Sequence, residues 1–176
     1  KYYREDYDPS HQEEVALELK NISFGPIRDF SLTLHKGEIV GFGGLSGCGM
    51  HEIGRAAYGL EKLEAGEVLR GGVKITDCLQ AIQQGIGYIS KNRDTESLIL
   101  DAAIQENIVL PSLTALQKKG FITPASEKKM ADGQIDAFRI KCSGGRQYVN
   151  TLSGGEKGRV ALTKLMLRKD NVLLLD

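Results

Sequence analysis

Residues 38–59 have the sequence EIVGFGGLSGCGMHEIGRAAYG. The stretch begins with β-prone residues, passes through a run of glycines and continues with apolar residues at helical spacing. A strand, a glycine loop and a helix in this order are typical of a phosphate-binding loop, because backbone N–H groups at a helix N-terminus attract anions. The alternative is a glycine-rich turn that holds no ligand.

The loop departs from the pattern G-x-x-x-x-G-K-[ST] at its last two positions. Met50 replaces the lysine that reaches the β- and γ-phosphates, and His51 replaces the hydroxyl that holds Mg²⁺. One charge-assisted contact contributes about 1.5–3 kcal/mol, so its loss predicts roughly ten- to hundredfold weaker binding of a triphosphate. The candidate nucleotide-binding residues of this degenerate loop are Gly44, Leu45, Ser46, Gly47, Cys48, Gly49, Met50 and His51.

The composition is that of a globular domain. The 176 residues are 41% hydrophobic and 26% charged, which is enough for one domain with its own core. The 23 Lys and Arg residues balance 23 Asp and Glu residues, which argues against a nucleic-acid partner bound by bulk charge. The three cysteines are too far apart for a disulfide framework or a zinc site, so a reducing cytoplasm is expected. Both chain ends indicate a piece of a longer protein.

The first half of the chain predicts mostly strands. We expect a linker at 1–14, an edge strand at Val15–Phe24, a turn at Gly25 and Pro26, and a strand at 30–35. Further on we expect a strand pair over 66–75, a helix at 77–84 with Asp77 near its start, and a buried strand at 86–90. Phe24 either stacks on a purine base or packs in the core.

The second half predicts mostly helices. Residues 91–96 lack any hydrophobic period and predict an exposed loop. Helices are expected at 104–110 and 125–140, the second capped by Thr123 or Ser126, and at 157–168. Residues 141–149 predict a loop, and the apolar run Val172–Leu175 before Asp176 predicts a central parallel strand buried on both faces.

The segment 152–156, LSGGE, predicts an anion site at a helix start. Ser153, Gly154 and Gly155 precede the helical pattern, where free N–H groups and a hydroxyl bind anionic oxygens. The glycines allow the backbone to approach a ligand closely. An ordinary serine-capped helix is the alternative.

With these residues, the chain from about 15 to 176 resembles the ATP-binding cassette (ABC) family of nucleotide-binding domains. LSGGE is that family's signature motif, and the order of glycine loop, polar switch loop, helical block, signature and apolar strand also matches. The resemblance implies an α/β, P-loop NTPase-like cassette. Its parts would be a central mostly parallel sheet, a small antiparallel β element and a helical subdomain inserted at about 104–150.

The resemblance also implies ATP and Mg²⁺ as cofactors and assigns further site residues. Asp176 matches the Walker B aspartate, which holds the Mg²⁺-bound water, and Lys91 stands where the family has its switch-loop glutamine. The glutamate that follows that aspartate in the family, and the later switch histidine, are not in this sequence. We therefore predict that the parent protein is an ATPase and that this domain alone is inactive or very weak.

Within the family, the chain resembles the second, degenerate cassette of tandem-cassette monosaccharide importers. Residues 156–159, EKGR, instead resemble soluble tandem-cassette factors that act on ribosomes, which is the alternative. The first resemblance implies a second cassette and transmembrane permease subunits as partners, no nucleic acid, and a peripheral location on the cytoplasmic face of the membrane. The signature, Leu152, Ser153, Gly154, Gly155 and Glu156, would then complete the ATP site of the partner cassette.

Overall fold

The computed structural model describes residues 12–45, 47–113 and 123–176. Most of the predicted linker at 1–14, and Ser46 of the glycine loop, lie outside these ranges. The chain divides into two units, Lys1–Ile86 and Gly87–Asp176.

The first unit contains a four-stranded antiparallel sheet in the order β2-β1-β3-β4. Its strands are β1 (Val15–Phe24), β2 (Ile27–His35), β3 (Ala65–Arg70) and β4 (Val73–Lys74). The predicted turn at Gly25, the strand at 30–35 and the strand pair over 66–75 are confirmed. Leu19 of β1 pairs with Leu32 of β2 on one side and with Val68 of β3 on the other, which places apolar residues of three strands side by side.

A bulge in β1 explains why its buried residues change from odd to even positions. Leu17 and Leu19 are buried before the register shift, and Ile22 is buried after it. Asn21 adopts a left-handed φ of 47° there, and its side-chain Nδ2 donates to Asp29 Oδ1 at 2.7 Å. The extra residue keeps both halves of β1 facing the same core.

The sheet corrects one sequence expectation about β1, and the burial of Phe24 distinguishes between its two candidate roles. The strand pairs with β2 and with β3, so it is an inner strand rather than the edge strand that was predicted. Its alternating pattern shows that one face is buried, and it carries no information about the number of neighbours. Phe24 is only 4% exposed, which corresponds to the core-packing role rather than to base stacking.

Two helices complete the first unit, α1 (Met50–Ala57) and α2 (Cys78–Gln83). The predicted cap of α2 is confirmed, since Asp77 accepts a hydrogen bond from the backbone N–H of Gln80 at 2.9 Å. This hydrogen bond from Gln80 is the main cause of a lowered pKa at Asp77.

The predicted strand at the start of the glycine loop is not formed. The structure assigns neither helix nor strand to residues 39–44, and Ile39 is 77% exposed. A β-strand is stabilised by hydrogen bonds to a neighbouring strand, and none pairs with this segment in the described part of the first unit. The β-propensity of residues 39–44 is therefore not sufficient to form a strand without a neighbouring strand.

The second unit is a helical core beside a short strand pair. Its strands β5 (Ile86–Ile89), which begins at the unit boundary, and β6 (Val172–Leu175) are hydrogen-bonded neighbours. Its helices are α3 (Ile104–Val109), α4 (Pro124–Ala137) and α5 (Gly154–Arg168), with 3₁₀ turns at Leu110–Ser112 and Val149–Thr151. The core of these helices contains the fully buried residues Ile104, Ile108, Val149 and Val160.

The predicted helices of this unit are confirmed with shifted ends. Thr123, not Ser126, caps α4, because Thr123 Oγ1 accepts from the N–H of Ser126 at 3.2 Å. Helix α5 begins at Gly154, three residues before the predicted start, since the signature glycines form its first turn. The bounds of an inserted subdomain at about 104–150 remain a prediction.

Two further expectations for the second unit are wrong in detail. Residues 91–96 are exposed as predicted, but Arg93–Ser97 form a turn of π-helix rather than an irregular loop. Strand β6 is not buried on both faces: Val172 is buried, whereas Leu175 is 65% exposed. Among the described residues β6 pairs only with β5, so no second strand covers its other edge.

Gly87 gives a test of packing in the second unit. A Cβ at Gly87 would lie 2.6 Å from Asp170 Oδ2 and 2.9 Å from Leu165 Cδ1. Asp170 is held by Arg168, with Nε–Oδ1 at 2.7 Å, so it has little freedom to move away. We expect Gly87→Ala to lower the free energy of unfolding by about 1–3 kcal/mol, measured by urea denaturation.

Gly133→Ala is the matched control for this substitution. Gly133 lies inside α4, and a Cβ there would meet nothing within 4 Å. The alanine should stabilise the helix by about 0.5–1 kcal/mol. Equal effects of the two alanines would contradict the packing described at Gly87.

Candidate functional site

The glycine loop leads directly into the N-terminus of α1. Gly49 precedes the helix in a left-handed conformation, with φ 96° and ψ 4°, and no side chain caps the helix. A Cβ at Gly49 would lie 2.2 Å from Ile27 Cδ1, so both the backbone conformation and the packing require glycine here. The first turn of α1 therefore has backbone N–H groups that can donate hydrogen bonds to a phosphate oxygen.

The side chains at this helix start are unsuited to a triphosphate. Met50 and His51 are the first two residues of α1, and they bring a thioether and an imidazole to the positions of a lysine and a hydroxyl. Glu52 follows in the same turn, and its Oε2 is buried without a hydrogen-bond partner among the described residues. An acidic residue in the first turn of a helix does not favour a bound phosphate anion. The start of α1 thus combines a left-handed glycine at position 49 with a methionine where the motif has a lysine.

Cys48 reports on occupancy of this loop, because the structure leaves it exposed just before α1. If the loop holds phosphate, saturating ATP should slow the alkylation of Cys48 by covering its sulfur. The measurement is the labelling rate with and without nucleotide, followed by mass spectrometry, with the half-buried Cys142 in the same sample as the internal control. An unchanged rate at Cys48 would show that this loop holds no phosphate.

The signature segment presents its middle residues to solvent. Ser153 caps α5, since its Oγ accepts from the N–H of Glu156 at 3.3 Å. Ser153, Gly154 and Gly155 are exposed, and added Cβ atoms at either glycine would meet nothing within 4 Å. Helix geometry leaves the N–H groups of the first turn without intrahelical acceptors. The segment therefore has the exposed donors that an anion site requires.

The outer residues of the signature anchor it to the domain. Leu152 is 8% exposed and belongs to the core of the second unit. The side chain of Glu156 accepts from the backbone N–H of Lys141 at 2.8 Å, which ties the start of α5 to the chain that follows α4. Leu152 and Glu156 therefore hold the turn in place, whereas Ser153, Gly154 and Gly155 face the solvent.

The switch segment, residues 91–97, lies next to the signature in the second unit. Lys91 is exposed, and residues 91–95 line a cavity of about 380 Å³ together with Gly154 and Lys157. Lys157 forms an ion pair with Asp94, with Nζ–Oδ2 at 2.6 Å. Sequence reasoning placed Lys91 in the switch loop but missed Asp94 and Lys157. They are 63 residues apart, and no local pattern connects them.

Asp176, the candidate magnesium ligand, lies at the exposed end of β6. Its N–H donates to the carbonyl of Ile89 at 3.0 Å, and Tyr88 donates its hydroxyl to Asp176 Oδ2 at 3.2 Å. Within the described residues, no three His, Cys, Asp or Glu side chains are placed to hold a metal ion. Met50 and His51 offer sulfur and nitrogen, whereas Mg²⁺ prefers oxygen. At the start of α1, the side chains of Met50 and His51 therefore provide no oxygen ligand for Mg²⁺.

None of the helices in the described ranges has the length and hydropathy needed to cross a bilayer.

The fold and the signature turn define the class of protein. The family model described as ABC transporter matches residues 27–176. The chain belongs to the ABC transporter family, as an ATP-binding cassette.

Solved structures share the fold. The ATP-binding cassette MJ0796, in a dimeric post-hydrolysis state bound to ADP and Pi, superposes with a TM-score of 0.75 at 23% identity, over 91% of this chain and 73% of that one. CbiO1 from Clostridium perfringens gives a TM-score of 0.71 at 17% identity, over 93% of this chain and 66% of that one. The predicted fold class is confirmed.

Curated relatives of the chain carry the name ribose import ATP-binding protein RbsA. The protein from Lacticaseibacillus paracasei is 38% identical over 174 residues, which cover 97% of this chain and 35% of that protein. The protein from Bacillus subtilis is 37% identical over 166 residues, which cover 93% of this chain and 34% of that protein. The chain thus spans about a third of the length of these relatives.

Proposed function

We propose that this domain completes the ATP site of a second cassette in an ABC-type sugar import system. The observation that carries the proposal is the exposed turn of Ser153, Gly154 and Gly155 at the start of α5. In this proposal the serine hydroxyl and the free N–H groups bind the phosphates of an ATP molecule that the partner cassette holds on its own glycine loop.

The domain's own glycine loop supports an unequal division of labour. Without a lysine at position 50 or a hydroxyl at position 51, it binds ATP weakly and serves as a regulatory or static site. The signature supplies hydrogen-bond donors to the phosphates of an ATP molecule that is bound on the partner cassette. The parent protein is then an ATPase, while this domain alone is inactive or very weak.

The named relatives support the partners and the location that we propose. Ribose import ATP-binding proteins support a role beside transmembrane permease subunits, on the cytoplasmic face of the membrane and attached peripherally. A second cassette, in which the glycine loop is intact, would provide the ATP. The sugar is one that other subunits of the importer select.

The alternative function is a cassette of a soluble ribosome-associated factor, suggested by residues 156–159. Two of these residues have structural roles: Glu156 binds the N–H of Lys141, and Arg159 donates to the carbonyl of Phe138 at 2.9 Å. The chain's zero net charge gives no excess cation for ribosomal RNA. These observations favour the transporter.

Cell fractionation distinguishes the two functions. We expect the parent protein, expressed at its natural level, to sediment with membranes and to leave them only when the permease is deleted. Washing with high salt should not move it to the ribosome fraction. Sedimentation with ribosomes in a gradient, independent of the permease, would overturn the importer proposal.

A further inference from the structure

The switch segment is attached along one face of the signature helix. Lys157 of α5 pairs with Asp94, and its side chain is only 15% exposed. Two turns later, Lys164 donates from Nζ to the carbonyl of Ser97 at 2.6 Å. Residues seven apart lie on the same helix face, so the two lysines hold both ends of the π-helical turn Arg93–Ser97.

Between these lysines, the side chain of Arg93 lies beside Gly158 of the helix. A Cβ at Gly158 would lie 2.7 Å from Arg93 Nη1, so the guanidinium occupies the space beside this glycine. A glycine inside a helix is unfavourable by about 0.5–1 kcal/mol relative to alanine. The approach of Arg93 shows that the π-helical turn also lies beside this part of α5.

The turn is also closed at its base, which makes it a rigid attachment. The N–H of Ser90 donates to Ser97 Oγ at 3.2 Å, and the N–H of Asn92 donates to Ser90 Oγ at 3.1 Å. Beyond the turn, the buried side chain of Asn107 bonds both the N–H and the carbonyl of Ile99 at 2.9 Å. Residues 90–99 are thereby fastened to α3 as well as to α5.

Lys157 is an unfavourable residue at its position unless it has a partner. It follows Ser153 by one turn, close to the positive end of the helix dipole, and burial reduces its hydration. Burial also lowers the pKa of Lys164. Both cations are thus stabilised by oxygen atoms of the switch segment, so the position of the segment and the position of the helix depend on each other.

We propose that Asp94 and Lys157 are positioning residues, which couple the switch segment to the signature turn so that displacement of residues 91–97 by a partner moves Ser153, Gly154 and Gly155 with it. This inference rests on the proposed function in trans. The pair does not contact the nucleotide in this scheme. The ion pair determines the position of the hydrogen-bond donors of the signature in the transition state of ATP hydrolysis on the partner cassette.

The test is a charge-swap cycle in the parent protein, assembled with its partner cassette and permease in membrane vesicles. Asp94→Lys and Lys157→Asp should each lower kcat for ATP hydrolysis by about tenfold, with an unchanged KM for ATP, because the partner's loop still binds the nucleotide. The double variant should recover kcat to within about twofold, since it restores an ion pair of opposite polarity.

A matched control is available on α4. Lys128 and Asp132 form an exposed ion pair one helical turn apart, and swapping their charges should leave kcat unchanged. The melting temperature of every variant is measured, and if Asp94→Lys does not fold, the comparison of Lys157→Asp with the double variant still tests the recovery of kcat. A purely structural role would lower the melting temperature and the amount of active protein without a rescue of kcat in the double variant.

The possible results distinguish a failure of the positioning role from a failure of the proposed function. Wild-type kcat in both single variants, or no recovery in the double variant, overturns the positioning role if Ser153→Arg abolishes hydrolysis in the same vesicles. Retained hydrolysis in Ser153→Arg overturns the proposed function and the positioning role with it. A kcat loss that the double variant reverses, together with an inactive Ser153→Arg, supports both.

Discussion

Replacing Ser153 by arginine in the parent protein is expected to lower partner-dependent ATP hydrolysis by at least about a hundredfold. The side chain of Ser153 is exposed at the cap of α5, so an arginine there is tolerated by the fold but fills the space of the incoming phosphates. It also removes the hydroxyl donor. Hydrolysis is measured as phosphate release by the assembled transporter, with and without transport substrate.

Two controls separate this effect from loss of the helix cap. Thr123 caps α4 through its Oγ1 in the same way, so Thr123→Arg removes a comparable cap outside the signature. Each cap contributes about 1 kcal/mol to stability, and Thr123→Arg should therefore leave hydrolysis intact. Met50→Ala should also change hydrolysis little, because the proposal assigns Met50 no phosphate contact. If Ser153→Arg and Met50→Ala had equal effects, the function in trans would be wrong.

Restoring the missing side chains of the glycine loop should have the second large effect. We expect the double variant Met50→Lys, His51→Thr to bind Mg-ATP about ten- to a hundredfold more tightly than the natural chain. The lysine would add a charge-assisted contact to the β- and γ-phosphates, and the threonine would add an oxygen ligand for Mg²⁺. Isothermal titration of this domain measures the change directly.

Met50→Leu is the control for the restored loop. Leucine has about the volume of methionine and carries no charge, so it should leave the affinity for Mg-ATP unchanged. The backbone of the loop is already suited to the task, since Gly49 adopts its left-handed conformation before α1. An unchanged affinity in the double variant would show that the loop backbone, or the carboxylate of Glu52, excludes phosphate whatever residue stands at position 50.

The success of sequence reasoning depended on whether a signal was local. Asp77, Thr123 and Ser153 were each expected at a helix start, and each accepts a hydrogen bond from the backbone N–H three residues later. A cap is formed within four residues, so its chemistry is visible in the sequence. The antiparallel strand pairs were equally visible, because short turns with glycine connect them.

The errors arose where the outcome depended on distant residues. Residues 39–44 have strand propensity, yet a strand requires a neighbour that no short window of sequence contains. The number of neighbouring strands also decided that β1 is an inner strand rather than an edge strand. Phe24 is apolar in either of its two candidate roles, so only its burial distinguishes core packing from base stacking.

The sequence by itself determined the family, the signature at 152–156 and the loss of a lysine and a hydroxyl from the glycine loop. These are properties of residue type and order, and folding does not change them. Tertiary structure decided which signature residues face outward and that Asp94 meets Lys157 across 63 residues of chain. A contact of this kind depends on the packing of α5 against the switch segment, and neither partner carries a local sequence signal of the other.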